Sequence, residues 1–367
     1  MDNIVRALNS NDETQRIYAA QDMGENNAPE MAVPLVKRLL IEKSQLVKDA
    51  IVFNLSKIPC YKIYDYLFEM FDSQDAFIRN AAVSIFGSEK DEVIGFLTAH
   101  LDHANREIRK LILDTLYTTG TYEAVLAIRA GLNDPSVNVQ ITAVEYLGIL
   151  EDKDSIDDLV KLIEKNEPML RFAILEALSC MKDSGIIKKV MDVLGTGDDI
   201  NSLDPLYIPG IIRLAAKSGD LDFICNVFEN INNSNIYADD IMRAVGETKL
   251  RFKNILEECC ILEMTTAIAK DSSLRENTRY NAVELLLGDE KGLLDSRELF
   301  LLGKSLIAEP AMIYAGIRVL VRSNEQDSIE LVKNIRSKTK DEEIRALCEE
   351  LIGNLPGKRL SKKHGGN

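Results

Sequence analysis

The chain has 367 residues, of which 46% are hydrophobic and 28% charged, with only 9 Pro and 20 Gly and a formal net charge of −15. Such a length exceeds one ordinary core, so several domains or one repeat array is expected, and scarce turn residues among abundant Leu, Ile, Ala, Glu and Lys favour helix. No apolar run approaches the roughly 18 residues of a membrane span, the opening MDNIVRALNSNDETQ lacks a signal peptide's basic-then-apolar order, and the acidic charge opposes a nucleic-acid backbone.

Along the first half, six segments share one register: QRIYAAQDMG, VKDAIVFNLS, IRNAAVSIFG, IRKLILDTLY, VQITAVEYLG and LRFAILEALS. Each has a long polar anchor with apolar residues three and seven positions later. The anchors are Arg16, Lys48, Arg79, Arg109, Gln140 and Arg171, spaced 32, 31, 30, 31 and 31 apart. Apolar residues at those offsets form one face of a helix at 3.6 residues per turn. Four residues before the anchors stand Asp12, Ser44, Asp75, Asn105, Ser136 and Glu167, and all but the last are good N-cap types. Gly24, Gly87 and Gly148, eight after their anchors, are expected to stop their helices.

A second helix follows in each unit. DEVIGFLTAHLDH places Ile94, Leu97 and Leu101 on one face, and the next two units do the same with Val125, Ile128, Leu132 and Ile156, Leu159, Ile163. Two helices of ten to thirteen residues with short turns account for a period near 31. Neither helix buries its stripe alone, so successive hairpins must stack.

The text from Ile78-Arg79-Asn80-Ala81-Ala82 through Phe86-Gly87 resembles the first helix of short bacterial HEAT-like repeats, also described as phycobilisome-lyase-type repeats. This resemblance runs from Asp12 to about Gly195 and returns in EIRALCEELIG, with Asp341 at the cap and Arg345, Cys348 and Ile352 in the same places. It implies an all-α, right-handed α-solenoid of about eleven HEAT-like hairpins. Regular repeats are expected over 1–200 and less regular ones over 201–355, with approximate anchors at 211, 238, 279, 314 and 345. Pro205 and Pro209 suit a helix start or break there. Residues 356–367 read as a basic, disordered tail.

The anchor residues, Arg345 included, are expected to form a structural ladder bonded to neighbouring turns, with acids such as Asp102 and Asp134 close by. His100 and His103 in AHLDH superficially resemble a metal cluster, but a metal site needs three or four ligands, and the remaining histidine, His364, is in the tail. No HExxH, GxSxG, GxxxxGK[ST] or strand-linked GxGxxG occurs. Deoxyhypusine hydroxylase is similar in its repeats yet relies on His-Glu pairs, which this sequence lacks. HEAT-like DNA glycosylases use a basic face, where this chain is acidic.

What remains is a surface. On the second helices the position of Thr98 reads Lys37, Phe68, Thr98, Arg129, Val160 and Met191 down the array. Phe68, Thr98, Arg129, Val160 and Met191 therefore stand as candidate partner-binding residues on a concave wall, with packing between helices as the other reading of the same stripe. The expected function is a non-catalytic protein-interaction scaffold or adaptor, without cofactor or metal, in bacterial signalling or complex assembly. A lyase- or chaperone-like protein acting on a chromophore- or metal-bearing partner is the alternative. Cys60, Cys180, Cys225, Cys259, Cys260 and Cys348 form no CxxC and sit in apolar helical text, which predicts buried thiols and a cytoplasmic protein without membrane insertion.

Overall fold

The computed structural model describes residues 2–353 except 166, 184, 196–198, 219–220, 232–234, 250–255, 257–260 and 289–291. The expected basic tail, and with it Cys259 and Cys260, lies outside the described residues. Two compact units divide the chain at Met181 and Lys182.

The first unit contains α1 (Asp2–Leu8), α2 (Glu13–Asn26), α3 (Ala32–Ile41), α4 (Gln45–Leu55), α5 (Tyr64–Met70) and α6 (Ala76–Ser88). It continues with α7 (Ile94–Thr98), α8 (Arg106–Thr119), α9 (Tyr122–Ala130), α10 (Val137–Ile149), α11 (Ile156–Leu162) and α12 (Pro168–Cys180). The second unit holds α13 (Ile186–Leu194), α14 (Ile208–Ser218), α15 (Leu221–Asn230), α16 (Ala238–Lys249) and α17 (Ile261–Lys270). After these come α18 (Glu276–Leu287), α19 (Ser296–Leu306), α20 (Ile313–Ser323), α21 (Gln326–Lys338) and α22 (Glu342–Gly353). All regular structure among the described residues is helical. Within each unit the even-numbered helices, from α2 and from α14 onward, stack one upon the next. These are the first helices of the hairpins, and eleven are described, each containing one of the anchors expected from the sequence.

Local chemistry explains where the first helices begin. Asp12, Ser44, Asp75, Asn105, Ser136 and Glu167 are all N-cap residues with extended backbone. Asp12, Ser44, Asp75 and Asn105 accept first-turn amides, as in Asn105 Oδ1 from Glu107 N at 3.0 Å. Glu167 makes no such bond and is followed instead by Pro168, whose missing N–H and fixed φ suit the first helical position. The residues three and seven after the anchors, from Ala19 and Met23 to Ile174 and Leu178, are buried without exception, as are Cys348 and Ile352 in α22.

The helix stops differ from expectation. Gly24, Gly87 and Gly148 lie inside α2, α6 and α10, and the chain turns at left-handed residues eleven after the anchor: Asn27, Lys90, Gly120, Glu151 and Lys182. In the second repeat that place is taken by Pro59. The glycines serve close approach. A Cβ on Gly148 would lie 2.6 Å from Ala177 Cα in α12, and one on Gly87 would lie 2.5 Å from Thr118 in α8. Second helices in this unit are also shorter than expected: α5, α7 and α11 have seven, five and seven residues. Each is extended by a 3₁₀ turn, at Tyr61–Ile63, Lys90–Val93 and Lys153–Ser155, which covers more length per residue than α-helix.

One expectation about the cysteines is corrected. Cys60, Cys180 and Cys348 are free thiols, but Cys225 on α15 is disulfide-bonded. Its spacing to other cysteines matches no motif, so only the folded chain reveals the bond.

Candidate functional site

The anchors do two jobs. Five of them turn back on the loop that precedes their helix and donate to the carbonyl six residues upstream: Arg16 to Ser10 at 3.0 Å, Arg79 to Ser73 at 2.6 Å, Arg109 to His103 at 2.6 Å, Gln140 to Asp134 at 2.7 Å and Arg345 to Thr339 at 2.9 Å. Arg171 reaches Ile163 O instead, at 2.7 Å. Some also grip the following repeat. Arg16 forks Glu42, Arg109 forks Asp134, and Lys48 reaches the next N-cap, Asp75, at 3.4 Å. In the second unit Arg279 forks Glu309 at 2.6 and 2.9 Å. Asp102 stays exposed.

These bonds set the ionisation of the acids. Burial opposes the charge on Glu42, but amide bonds from Ser44 and Lys43 with guanidinium bonds from Arg38 and Arg16 outweigh it and hold the carboxyl at about 2. Asp134 is lowered in the same contest between burial and its bonds to Arg109 and Ser136 N. Where no cation bonds the carboxylate, burial wins. Glu89, which accepts Cys60 N at 3.0 Å and Tyr64 Oη at 3.1 Å, is raised, and so is Asp114, which accepts Tyr146 Oη at 2.7 Å. All four carboxyls are thus committed to structural bonds.

The second-helix positions do not make one exposed stripe. Val160 and Met191 are 6% and 2% exposed and act as core. Alternation of polar and apolar residues along a helix shows a face but not how deeply the next hairpin covers it, and here the covering is complete. Arg129 is half-buried and clamps Asp152 at 2.6 and 2.7 Å and Asp154 at 3.0 Å. Thr98 and Lys37 are exposed. Phe68 is half-buried among Phe71, Phe96 and the two histidines, with His100 4.3 Å away between ring centroids. His100 Nδ1 lies 2.8 Å from Phe96 O, and His103 Nδ1 accepts Asn105 N at 3.1 Å. No group of three or more potential metal ligands occurs among the described residues.

Large apolar side chains also stand exposed on the first helices. Glycine 148 lets α10 and α12 approach at one end, and beside the contact lies a groove of about 390 Å³ lined by Ile141, Glu145, Ile149, Met169, Phe172 and Glu176. Ile149, Met169 and Phe172 are 60%, 69% and 42% exposed. Tyr18 on α2 and Leu46 and Phe53 on α4 are further large side chains left in solvent on first helices of this unit. Sequence reasoning passed over this face because it followed the second helices. The signal was present: two before and one after the anchor, the sixth repeat has Met169 and Phe172 where the fourth has Glu107 and Lys110.

Residues 94–179 and 125–199 match the family model for HEAT repeats. Among solved structures, Kap121p bound to Pho4p is similar over 95% of this chain and 45% of that one, at 13% identity and a TM-score of 0.58. Kap95p, from a study of its binding to RanGDP, is similar over 96% of this chain and 57% of that one, at 14% identity and a TM-score of 0.52. This chain therefore spans about half the length of those proteins, and identities so low establish the fold alone. No curated protein matches it in sequence. With the hairpin geometry, these findings define an all-α solenoid in which residues 94–199 carry HEAT repeats. No described helix is long and apolar enough to cross a membrane.

Proposed function

We propose that this chain is a non-catalytic scaffold or adaptor that holds other proteins. The observation carrying this reading is the set of large side chains left in solvent on rigidly stacked first helices, with Met169 and Phe172 beside a ready-made groove. Exposed apolar side chains grouped around a groove mark interaction surfaces more often than isolated ones do. Stacked helices braced by buried forks hold that surface in shape, so little ordering cost falls on binding. The carboxyls with displaced ionisation are occupied by Arg, Tyr and amide partners, which suits bracing better than acid–base chemistry. The net charge of −15 favours protein over nucleic acid as the partner. The similarly folded Kap121p has been seen bound to Pho4p, which supports the same class of role by analogy of fold. A cytoplasmic setting belongs to this reading and is supported by the free thiols of Cys60, Cys180 and Cys348, while the disulfide at Cys225 weighs against it.

Affinity purification of the tagged chain from its own cells, with mass spectrometry, tests the proposal. A stoichiometric protein partner, lost from a Tyr18→Ser/Phe53→Ser or Met169→Ser/Phe172→Ser variant that melts like the parent, is the expected result. Recovery of the chain alone, with a bound pigment or metal in place of protein, would overturn it in favour of the lyase- or chaperone-like role.

A further inference from the structure

The α10–α12 groove carries more than apolar area. On α10, Ile141, Glu145 and Ile149 succeed one another at intervals of four, so they form a single row along the helix, with the carboxylate in the middle. On α12, Phe172 and Glu176 are also four apart, with Met169 a turn before them. Both walls therefore place a glutamate toward the centre and bulky apolar groups toward an end. Glu145 is exposed and makes no ion pair among the described residues. No Lys or Arg lines the groove. The floor is formed by Ala173, Ala177 and Gly148, whose small side chains leave room for a third element to settle between the two helices.

From this arrangement we infer that the α10–α12 groove docks an amphipathic helix of a partner protein through one face reading apolar, then Lys or Arg, then apolar, at intervals of about four residues. The inference rests on the scaffold reading and gives that partner its chemistry. Ile141 and Ile149 are eight residues apart, or about 12 Å along the axis at 1.5 Å per residue, the distance covered by two turns of the incoming helix. An apolar residue at each end packs against Ile149 on one side and Met169 and Phe172 on the other. The cation between them meets Glu145, where a partner acid would face a like charge. Lysine or arginine suits this place further because its aliphatic stem covers apolar wall while its head stays with that carboxylate. A helix, and not an extended strand, is the occupant because the groove walls are helices whose edges offer no free backbone ladder.

Two synthetic, Ala-based helical peptides test this directly, each with Leu at positions eight apart and either Lys or Glu midway, labelled for fluorescence anisotropy and titrated with the full chain. The Lys peptide is expected to bind at least tenfold more tightly than the Glu peptide. Met169→Ser/Phe172→Ser should weaken both peptides. Glu145→Lys should invert the preference, improving the Glu peptide, a gain that misfolding cannot produce. Equal binding of the two peptides to the parent, or an unchanged preference in Glu145→Lys, would overturn the inference. So would self-association of the chain, seen by sedimentation and abolished by Met169→Ser/Phe172→Ser, because a second copy would then occupy the groove. If a cellular partner is still recovered in the purification above while the peptides fail, the scaffold reading survives and only the assignment to this groove falls.

Discussion

Arg109 holds Asp134 by two parallel hydrogen bonds, Nε to Oδ2 at 2.7 Å and Nη2 to Oδ1 at 2.8 Å, across the boundary between the fourth and fifth hairpins. The guanidinium has a third bond, to His103 O, so one side chain closes its own loop and ties it to the next repeat. Both residues are buried. Asp134→Ala would leave the guanidinium buried without its counter-charge, and removing one member of such a pair costs about 3 to 5 kcal/mol. Replacing both, as in Arg109→Met/Asp134→Leu, should recover much of that loss, since no unpaired charge remains. Urea unfolding of the three proteins measures both effects. If Asp134→Ala unfolds at the parent's urea midpoint, Arg109 is not a brace.

Glu42 gives the first hairpin boundary a defined response to acid. Its carboxyl sits at about 2 in the folded chain against an ordinary 4.5, with the cations and amides overcoming burial. A depressed carboxyl contributes stability that is complete above about pH 4.5 and lost as pH falls toward 2. A shift of this size corresponds to about 3 kcal/mol, and the side chain is almost wholly buried, so little screening reduces it. Glu42→Gln should therefore be less stable than the parent at neutral pH, and the gap should close between pH 4.5 and 2. Urea midpoints across that range decide the matter; parallel curves for the two proteins would remove Glu42 from the acid response.

Glycine is present where space is needed, while four of the five left-handed helix ends of the first unit carry other residues. Gly148→Ala would push a methyl group to 2.6 Å from Ala177 Cα, which only a separation of α10 from α12 can relieve. Overpacking of this kind costs about 1 to 3 kcal/mol, despite alanine's better helix propensity. Lys90, by contrast, is exposed and holds φ 52° at the end of the third first helix. Lys90→Gly should stabilise by up to about 1 kcal/mol by relieving left-handed strain. Thermal melts of the two variants should move in opposite directions, and a stabilised Gly148→Ala would refute the close-approach role.

The contrast explains what was legible in the sequence. Helix starts could be read because Asp12, Ser44, Asp75 and Asn105 act through bonds to amides two or three residues away. The buried faces could be read because the offsets of three and seven repeat in each unit. Helix ends could not, since Asn27, Lys90, Glu151 and Lys182 adopt the left-handed conformation that a reader expects of glycine. Depth of burial was also hidden. Val160 and Met191 are core, while Met169 and Phe172 are exposed, and only the placement of neighbouring helices separates these pairs. The candidate site therefore moved from the second helices to the first.

One break in the ladder offers the sharpest test of its logic. Six residues before the following anchor, the repeats place Glu42 opposite Arg16 and Asp134 opposite Arg109, but after Gln140 the same register position holds Lys165. The anchor is neutral where the next repeat offers a cation. Gln140 Nε2 donates to Asp134 O at 2.7 Å, while its Oε1, in a residue only 3% exposed, has no hydrogen-bond partner. Gln140→Arg should destabilise by about 2 kcal/mol or more, because a guanidinium would be buried without a carboxylate. Lys165→Glu alone should change little, as Lys165 is exposed. Together the substitutions rebuild the arrangement of Arg109 and Asp134, so the double variant should exceed the sum of the single effects by at least about 1 kcal/mol. A double-mutant cycle in urea measures that coupling, and additivity to within about 0.3 kcal/mol would show that register position alone does not make the ladder.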